Sequence, residues 1–213
     1  MINKRLLENS NYDDCESVSS FNDNIYFLVL YRDRGLLNSN VYGMITRYDE
    51  IDNLLEENKD FFKKHAQFKF IHNKTNYINS IYYRNKNIGH INSKSGNRIQ
   101  YISRNNDRMY LYKKGRPALV KISICNKDDP DNNLFKNGDY SWCAEQERFY
   151  QNYHFLNHLH GIVSTKNLTI VNNQQDTFVE VMKLNKKMLA IGSIAPFTHI
   201  HSFILGCTLS LNI

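Results

Sequence analysis

Three histidines in the C-terminal half have the spacing of possible metal ligands. His154, His158 and His160 follow Glu147 and Cys143 in the sequence, and residues four apart lie on one face of a helix, as zinc-binding histidines must. The sequence has no HExxH motif, so no general base lies between the first two histidines. We therefore interpret them as helix-end histidines that complement the helix dipole, and we predict no metal site here.

Two other groups of possible metal ligands are also incomplete. His199 and His201 would share one face of a strand, but two ligands do not make a site. The acidic run at residues 126–139 lacks the ligand order and the terminal glutamate of an EF-hand loop, and its composition is typical of a turn-rich loop. We predict no metal at either place.

Motifs of the familiar enzyme classes are missing from the sequence. There is no GxxxxGK[ST] or GxGxxG phosphate loop and no GxSxG elbow. Tyr110 and Lys114 have the four-residue spacing found in some reductases, but no dinucleotide fingerprint accompanies them. We predict that the protein is not an enzyme and requires no cofactor. An unfamiliar phosphodiesterase or nuclease that uses the scattered histidines stays open as a third alternative.

The stretch from Asn79 to Lys121 combines aromatic hydroxyl groups with arginines. Planar guanidinium groups stack on phenol rings or donate hydrogen bonds to them, so this stretch favours a contact surface. The same residue types could stack on bases and bind phosphates, which makes RNA or nucleotide binding an alternative function, although no RRM or KH signature is present. The tyrosines are Tyr82, Tyr83, Tyr101, Tyr110 and Tyr112, and the arginines are Arg84, Arg98, Arg104, Arg108 and Arg116.

Tyrosine and lysine content implies a large change of charge in alkali. The formal net charge is +6 at pH 7, with 21 acidic residues and 14 tyrosines. Since tyrosine and lysine both titrate near pH 10, the net charge falls to about −25 when both are deprotonated. Chains that share tyrosine-rich contacts would then repel one another. The five tyrosines named above are our candidates for an alkaline switch.

Short strands separated by turn residues are the dominant pattern, and two helices interrupt them. The helices are predicted near 49–65, where Ile51, Leu54 and Phe61 recur at helical spacing, and near 141–160. The predicted strands are 25–31, 41–45, 68–71, 77–83, 99–103, 109–112, 118–124, 168–171, 177–182, 188–191 and 203–211. The alternation of apolar residues in the last of these predicts a strand with one face in the core.

Length and composition predict one domain with an added arm. The chain has 213 residues, 41% of them hydrophobic, and no linker divides it. Residues 1–20 are predicted to form a helical arm, in which Leu6 and Leu7 are the apolar contacts, and residues 21–213 a single domain. Four widely spaced cysteines and an N-terminus without a signal-peptide core predict reduced thiols and synthesis in the cytoplasm.

The order of these features resembles the polyhedrins of cypoviruses, which form the crystalline occlusion bodies of insect viruses. The resemblance covers roughly the first 120 residues. It rests on the segments Lys4–Leu7, Asn24–Tyr31 with the Asp33–Gly35 turn and the helix after it, Ser80–Tyr83, and the basic strands that end near Ser123.

The resemblance implies a mainly β structure of the α+β class, an antiparallel β-sandwich flanked by helices with an N-terminal helical arm. It implies trimers that assemble into crystals in the host cell cytoplasm, embed and protect virus particles, and dissolve at alkaline pH. It also implies that nucleotides can be held in the lattice. We expect no membrane as a partner, because Pro196, His199 and His201 interrupt the uncharged C-terminal run before it reaches about 20 apolar residues. On this basis we expect a structural viral protein whose main partner is itself.

Overall fold

The structure is a computed structural model. It describes residues 25–35, 38–73, 78–92, 98–103, 108–114, 119–125, 134–138, 141–143, 148–150 and 153–211. The predicted arm at residues 1–20, with Leu6 and Leu7, lies outside these ranges, as do Arg104, Arg116 and Glu147.

Twelve antiparallel strands close into a barrel. Their order around the barrel is β1-β14-β13-β12-β9-β8-β7-β6-β5-β4-β3-β2, and β10 and β11 pair as a separate two-stranded sheet. The strands are β1 (Tyr26–Arg34), β2 (Asn38–Thr46), β3 (Phe68–Asn73), β4 (Ile78–Tyr83), β5 (Lys86–Asn92), β6 (Arg98–Ser103), β7 (Arg108–Lys114), β8 (Leu119–Cys125), β9 (Leu134–Asn137), β10 (Ser141–Cys143), β11 (Arg148–Tyr150), β12 (Leu168–Val171), β13 (Thr177–Lys183) and β14 (Met188–Ser193).

The interior of the barrel is lined by the alternate apolar residues of the strands. One row runs through Ile91, Tyr101, Met109 and Ile124 on neighbouring strands, and these side chains belong to or pack against one core cluster. Because successive side chains of a strand point to opposite faces, the residues between them face outward. Each strand predicted before residue 192 corresponds to a strand of the structure, so these predictions are confirmed in type.

A C-terminal helix fills the barrel. It comprises α2 (His199–Leu211), and every residue from Ser202 to Ser210 is buried. Phe203 stacks on Phe68 with ring centroids 5.0 Å apart. The predicted strand at 203–211 is therefore wrong. A helix surrounded by the barrel wall needs no polar face, so its sequence lacks the 3.6-residue periodicity that identifies a surface helix.

A second apolar cluster lies outside the barrel, over β1, β2, β13 and β14, which we call the covered wall. Outward residues of these strands, such as Val29 and Ala190, pack against Ile51, Phe62 and Leu156 from the segments that cover them. These segments include two 3-10 turns (Tyr48–Glu50 and Asp52–Glu56), the helix α1 (Lys59–His65) and the turns at residues 154–159. Apolar residues therefore lie on both faces of this wall.

The predicted helix at 49–65 is only partly confirmed. Asn58 has extended backbone angles (φ −95°, ψ 176°), and its side chain accepts hydrogen bonds from the N–H groups of Asp60 and Phe61, so it begins a new helix. The chain before it forms the two 3-10 turns, and the basic residues Lys63, Lys64 and His65 lie in the last turn of α1.

Two further predictions are wrong. The expected antiparallel β-sandwich flanked by helices is contradicted, because twelve strands close on themselves around α2 and leave no pair of facing sheets among the described residues. The N-terminal helical arm expected with it lies outside those residues. The expected helix at 141–160 is replaced by β10, β11 and a series of turns. Strands β5 and β9 were not predicted, because their polar residues and glycine were interpreted as turns.

Candidate functional site

Charge is distributed unequally around the barrel. The seven strands β3–β9, which we call the basic wall, contain no acidic residue within the described part of residues 68–138. The nine basic residues described there are Lys69, Arg84, Lys86, Arg98, Arg108, Lys113, Lys114, Lys121 and Lys136. The segment 49–60 over the covered wall instead carries six acidic residues. The described part of the basic wall therefore carries a net positive charge, which favours negatively charged ligands.

The centre of the basic wall brings two tyrosines and three basic residues together. On β7, Arg108, Tyr110 and Tyr112 alternate with the buried Met109 and Leu111, so the first three face outward. Arg108 and Tyr110 are exposed, and Tyr110 has 38% of its surface accessible.

The strand register aligns these residues with lysines on the next two strands. Tyr112 lies opposite Lys121 on β8, which lies opposite Lys136 on β9. Tyr110 lies opposite Ser123, which lies opposite Leu134, 53% exposed. Neighbouring strands are about 4.8 Å apart, so the outer face presents aromatic rings beside a row of two lysines.

Hydrogen bonds hold the hydroxyl group of Tyr110. Gln100 Nε2 donates to Tyr110 Oη at 3.2 Å, and Arg108 Nη1 lies 3.5 Å from the same oxygen. These contacts restrain the hydroxyl end of Tyr110, a residue that stays exposed. A planar aromatic group restrained in this way, beside cations, can stack on another planar group.

The five predicted tyrosines divide between the two faces of the wall. Tyr82, Tyr110 and Tyr112 face outward, but β5 and β6 separate Tyr82 from the other two. Tyr101 is 2% exposed inside the barrel, and its hydroxyl group lies 3.5 Å from the carbonyl oxygen of Ile88. Tyr83 packs inward, with its ring 4.9 Å from that of Phe68. Tyr110 and Tyr112 therefore share one surface with Arg108 and Lys121, whereas Tyr82 lies opposite Lys69 on another part of the wall.

The predicted histidines are dispersed. His154, His158 and His160 are exposed in turns rather than aligned on a helix. His199 and His201 lie in the first turn of α2, where burial lowers the pKa of each to about 4. Within the described residues, no three His, Cys, Asp or Glu side chains lie close enough to hold a metal ion.

Sequence reasoning missed the separation of charge. Only the net charge was considered in the sequence, yet residues 61–127 contain 15 lysines and arginines and one acid, Asp107. That run of basic residues was visible in the sequence. Its grouping on one surface follows from the closed barrel, which places β3–β9 side by side and the acidic segment 49–60 over the covered wall.

Comparisons with known proteins do not assign the chain to a family. No protein-family model matches it, and no curated protein matches it significantly. None of the described helices is long and apolar enough to span a membrane. The function is therefore inferred from the geometry of the described residues.

Proposed function

We propose that this protein binds single-stranded nucleic acid on the outer face of the basic wall. The observation that carries the proposal is the absence of acidic residues from the described strands β3–β9, together with the outward Tyr110 and Tyr112. A positively charged surface that follows the phosphates, with aromatic rings on which bases stack, is how many proteins bind single strands.

In this proposal the tyrosines bind bases and the cations bind phosphates. Tyr110 and Tyr112 are two residues apart on one strand, about 6.7 Å, which leaves room for a separate base on each ring. Arg108, Lys121 and Lys136 lie beside them in register and would contact the phosphates. Stacking accepts any base, so we expect little sequence preference.

Fluorescence anisotropy with a labelled oligo-dT or oligo-U of about 12 nucleotides, the length that one such binding site can cover, tests the proposal. Tyr110→Ala and Tyr112→Ala should each weaken binding by about 1–3 kcal/mol, the usual value of one stacked base. Three phosphate contacts predict a slope of log K against log salt of about −2. Tyr110→Phe keeps the ring and is the matched control.

Two results would contradict nucleic-acid binding on this wall. One is an intact protein that does not bind either oligonucleotide at about 50 mM salt, where phosphate contacts are strong. The other is equal weakening by Tyr110→Ala and by Lys63→Gln/Lys64→Gln, which changes two exposed lysines on α1, over the covered wall.

Self-assembly into virus-embedding crystals in the host cytoplasm is our second proposal. The outward position of Tyr82, Tyr110 and Tyr112 supports it, since these phenols are placed where a neighbouring molecule could contact them. Expression in insect cells should then give micrometre crystals that dissolve above about pH 10. If the three Tyr→Phe changes left the dissolution pH unmoved, phenol ionisation would not be the switch.

A further inference from the structure

A small cleft lies at the end of the barrel where β1, the β13–β14 hairpin and the C-terminal end of α2 meet. Its empty volume is about 170 Å³. Five cationic residues line it, together with Asn185, Met188, Leu189 and Ser210, and none of the described residues that line it is acidic. The cations are Arg32, Lys166, Lys183, Lys186 and Lys187.

Two of these cations bind the end of α2. Arg32 Nη1 donates to the carbonyl oxygen of Ser210 at 2.8 Å, and Lys166 Nζ donates to the same oxygen at 2.9 Å. The last carbonyl groups of a helix lack partners within it and carry partial negative charge. Arg32 and Lys166 therefore provide hydrogen-bond donors for the C-terminal end of α2, and they lie between that end and the cleft.

The hairpin lysines are held by a fixed turn. Asn185 Oδ1 accepts hydrogen bonds from the backbone N–H groups of Lys187 and Met188, at 2.8 and 3.0 Å. Arg32 Nη2 donates to the carbonyl oxygen of Lys186 at 2.8 Å. Lys187 Nζ lies 3.2 Å from Tyr31 Oη. The turn thus holds the backbone of Lys186 and Lys187 in a defined geometry.

Like charges that line one small cleft repel one another. Arg32 and Lys166 already have a partner in the carbonyl oxygen of Ser210, and Lys187 has one in the Tyr31 hydroxyl group. Lys183 and Lys186 form no ion pair with a carboxylate of the described residues. A bound oxyanion would relieve the repulsion and accept charge-assisted hydrogen bonds from these side chains.

We propose that the cleft binds a small phosphate compound, inorganic phosphate or pyrophosphate, through Lys183 and Lys186. The cleft is small and partly open to solvent, which favours one or two phosphate groups over an entire nucleotide. The cleft is built from β1, β13 and β14 and is separate from the basic wall.

Isothermal titration of the full chain with pyrophosphate, and separately with inorganic phosphate, tests this inference. The double variant Lys183→Gln/Lys186→Gln should weaken binding at least about tenfold, because charge-assisted hydrogen bonds are lost. Neither side chain is needed to satisfy the end of α2, so the variant should fold. Lys63→Gln/Lys64→Gln removes the same charge elsewhere and should change binding less than about twofold.

Three results would overturn the inference. The first is an intact protein that binds neither anion at low salt, and the second is equal weakening by the two double variants. The third is a loss of pyrophosphate binding in Tyr110→Ala/Tyr112→Ala, which would place the anion on the basic wall. That variant should bind pyrophosphate normally even if it fails to bind nucleic acid, so the two proposals fail separately.

Discussion

The inward side chains of the covered wall and of the basic wall are alike, because both are buried. Their outward side chains differ, because they are buried on the covered wall and at least partly exposed on the basic wall. On β1, both Leu28 and Val29 are buried, the first inside the barrel and the second beneath the outer layer. On β7, Leu111 is buried inside, whereas Tyr110 on its other face is exposed. One barrel therefore contains strands buried on two faces and strands buried on one.

This difference separates the residues that determine stability from those available for binding. Outward residues of the covered wall are part of a second core, so a change there alters the free energy of unfolding. Outward residues of the basic wall contact solvent, so evolution can change them for a partner at small cost in stability. The candidate interface lies on the wall that can tolerate charge.

Placing a lysine on each wall gives the largest expected effect. Val29→Lys puts a charge at a position with 0% exposure, and we expect it to cost about 4 kcal/mol or more because the ammonium group would be buried without a partner. Tyr112→Lys, also outward but half-buried on the basic wall, should change stability by less than about 1 kcal/mol. Urea denaturation of the two variants measures the difference.

Equal costs for the two lysines would contradict the comparison. That result would mean that an element outside the described residues packs on the basic wall as tightly as the outer layer packs on β1. Val29→Ile is the control for Val29, since it keeps an apolar branched side chain of similar size.

The two kinds of strand also explain how far the sequence predicts the fold. Residues Tyr26–Tyr31 are a continuous apolar run, which indicates a strand buried on both faces, and this was predicted correctly. The strands of the basic wall alternate, as at Met109, Tyr110 and Leu111, and were also found. Closure into a barrel was not predictable, because local alternation is the same in a sandwich and in a barrel.

Long-range contacts account for the helix at 141–160 that was predicted wrongly. Glu180 on β13 is fully buried and accepts backbone hydrogen bonds from His154, Phe155 and Leu156, at 2.8 Å for Phe155 and 3.0 Å for Leu156. These bonds fix turns in a segment whose apolar spacing indicated a helix. No local signal identifies a partner that lies 25 residues from Phe155 along the chain.

The candidate site was predictable in its residue types but not in its grouping. Tyr110, Tyr112 and Arg108 were identified from composition, and they do share one face. Tyr101 was identified by the same reasoning, yet it faces the barrel interior beside Gly89, where a side-chain Cβ in place of the glycine hydrogen would lie 2.7 Å from the tyrosine ring. Which face a tyrosine occupies depends on register, and the bulge at Ile81/Tyr82 shifts that register nearby.

Removing the Glu180 carboxylate should have the next largest effect. Glu180→Ala leaves the buried N–H group of Leu156 without its acceptor, which costs about 1–3 kcal/mol for that donor alone. The turns at residues 154–159 should then loosen from the covered wall. Hydrogen exchange at Leu156 and Leu159 would accelerate, whereas exchange in β6 and β7 of the basic wall should be unchanged.

The pH dependence of stability sharpens this prediction. Burial raises the pKa of Glu180, and hydrogen bonds from His154, Leu156 and Phe155 counter this only in part. The folded protein therefore holds the proton more tightly than the unfolded chain, so the contribution of Glu180 to stability is greatest below its ordinary pKa and declines as pH rises through the raised value. The difference in urea midpoint between the intact protein and Glu180→Gln, measured between about pH 4 and 8, isolates the pH dependence of stability that Glu180 contributes. This difference should fall as pH rises. A difference that rises with pH would contradict the prediction.

The smallest expected effect concerns the attachment of the outer layer. Asn58 Oδ1 accepts hydrogen bonds from the N–H groups of Asp60 and Phe61 at 2.9 and 3.1 Å, and Asn58→Ala should cost about 1 kcal/mol, the usual value of a helix N-cap. Asn53→Ala, at an exposed position of the preceding 3-10 turn, should cost less.

The distribution of that loss shows whether α1 is a separate layer. If the layer can detach, hydrogen exchange at Phe61 and Phe62 should accelerate in Asn58→Ala while exchange in β1 stays slow, because the barrel and α2 remain intact. If exchange in β1 accelerates equally, α1 and the covered wall open together. The second core would then be part of the same cooperative unfolding unit as the barrel interior. The covered wall would differ from the basic wall in how it unfolds as well as in how it packs.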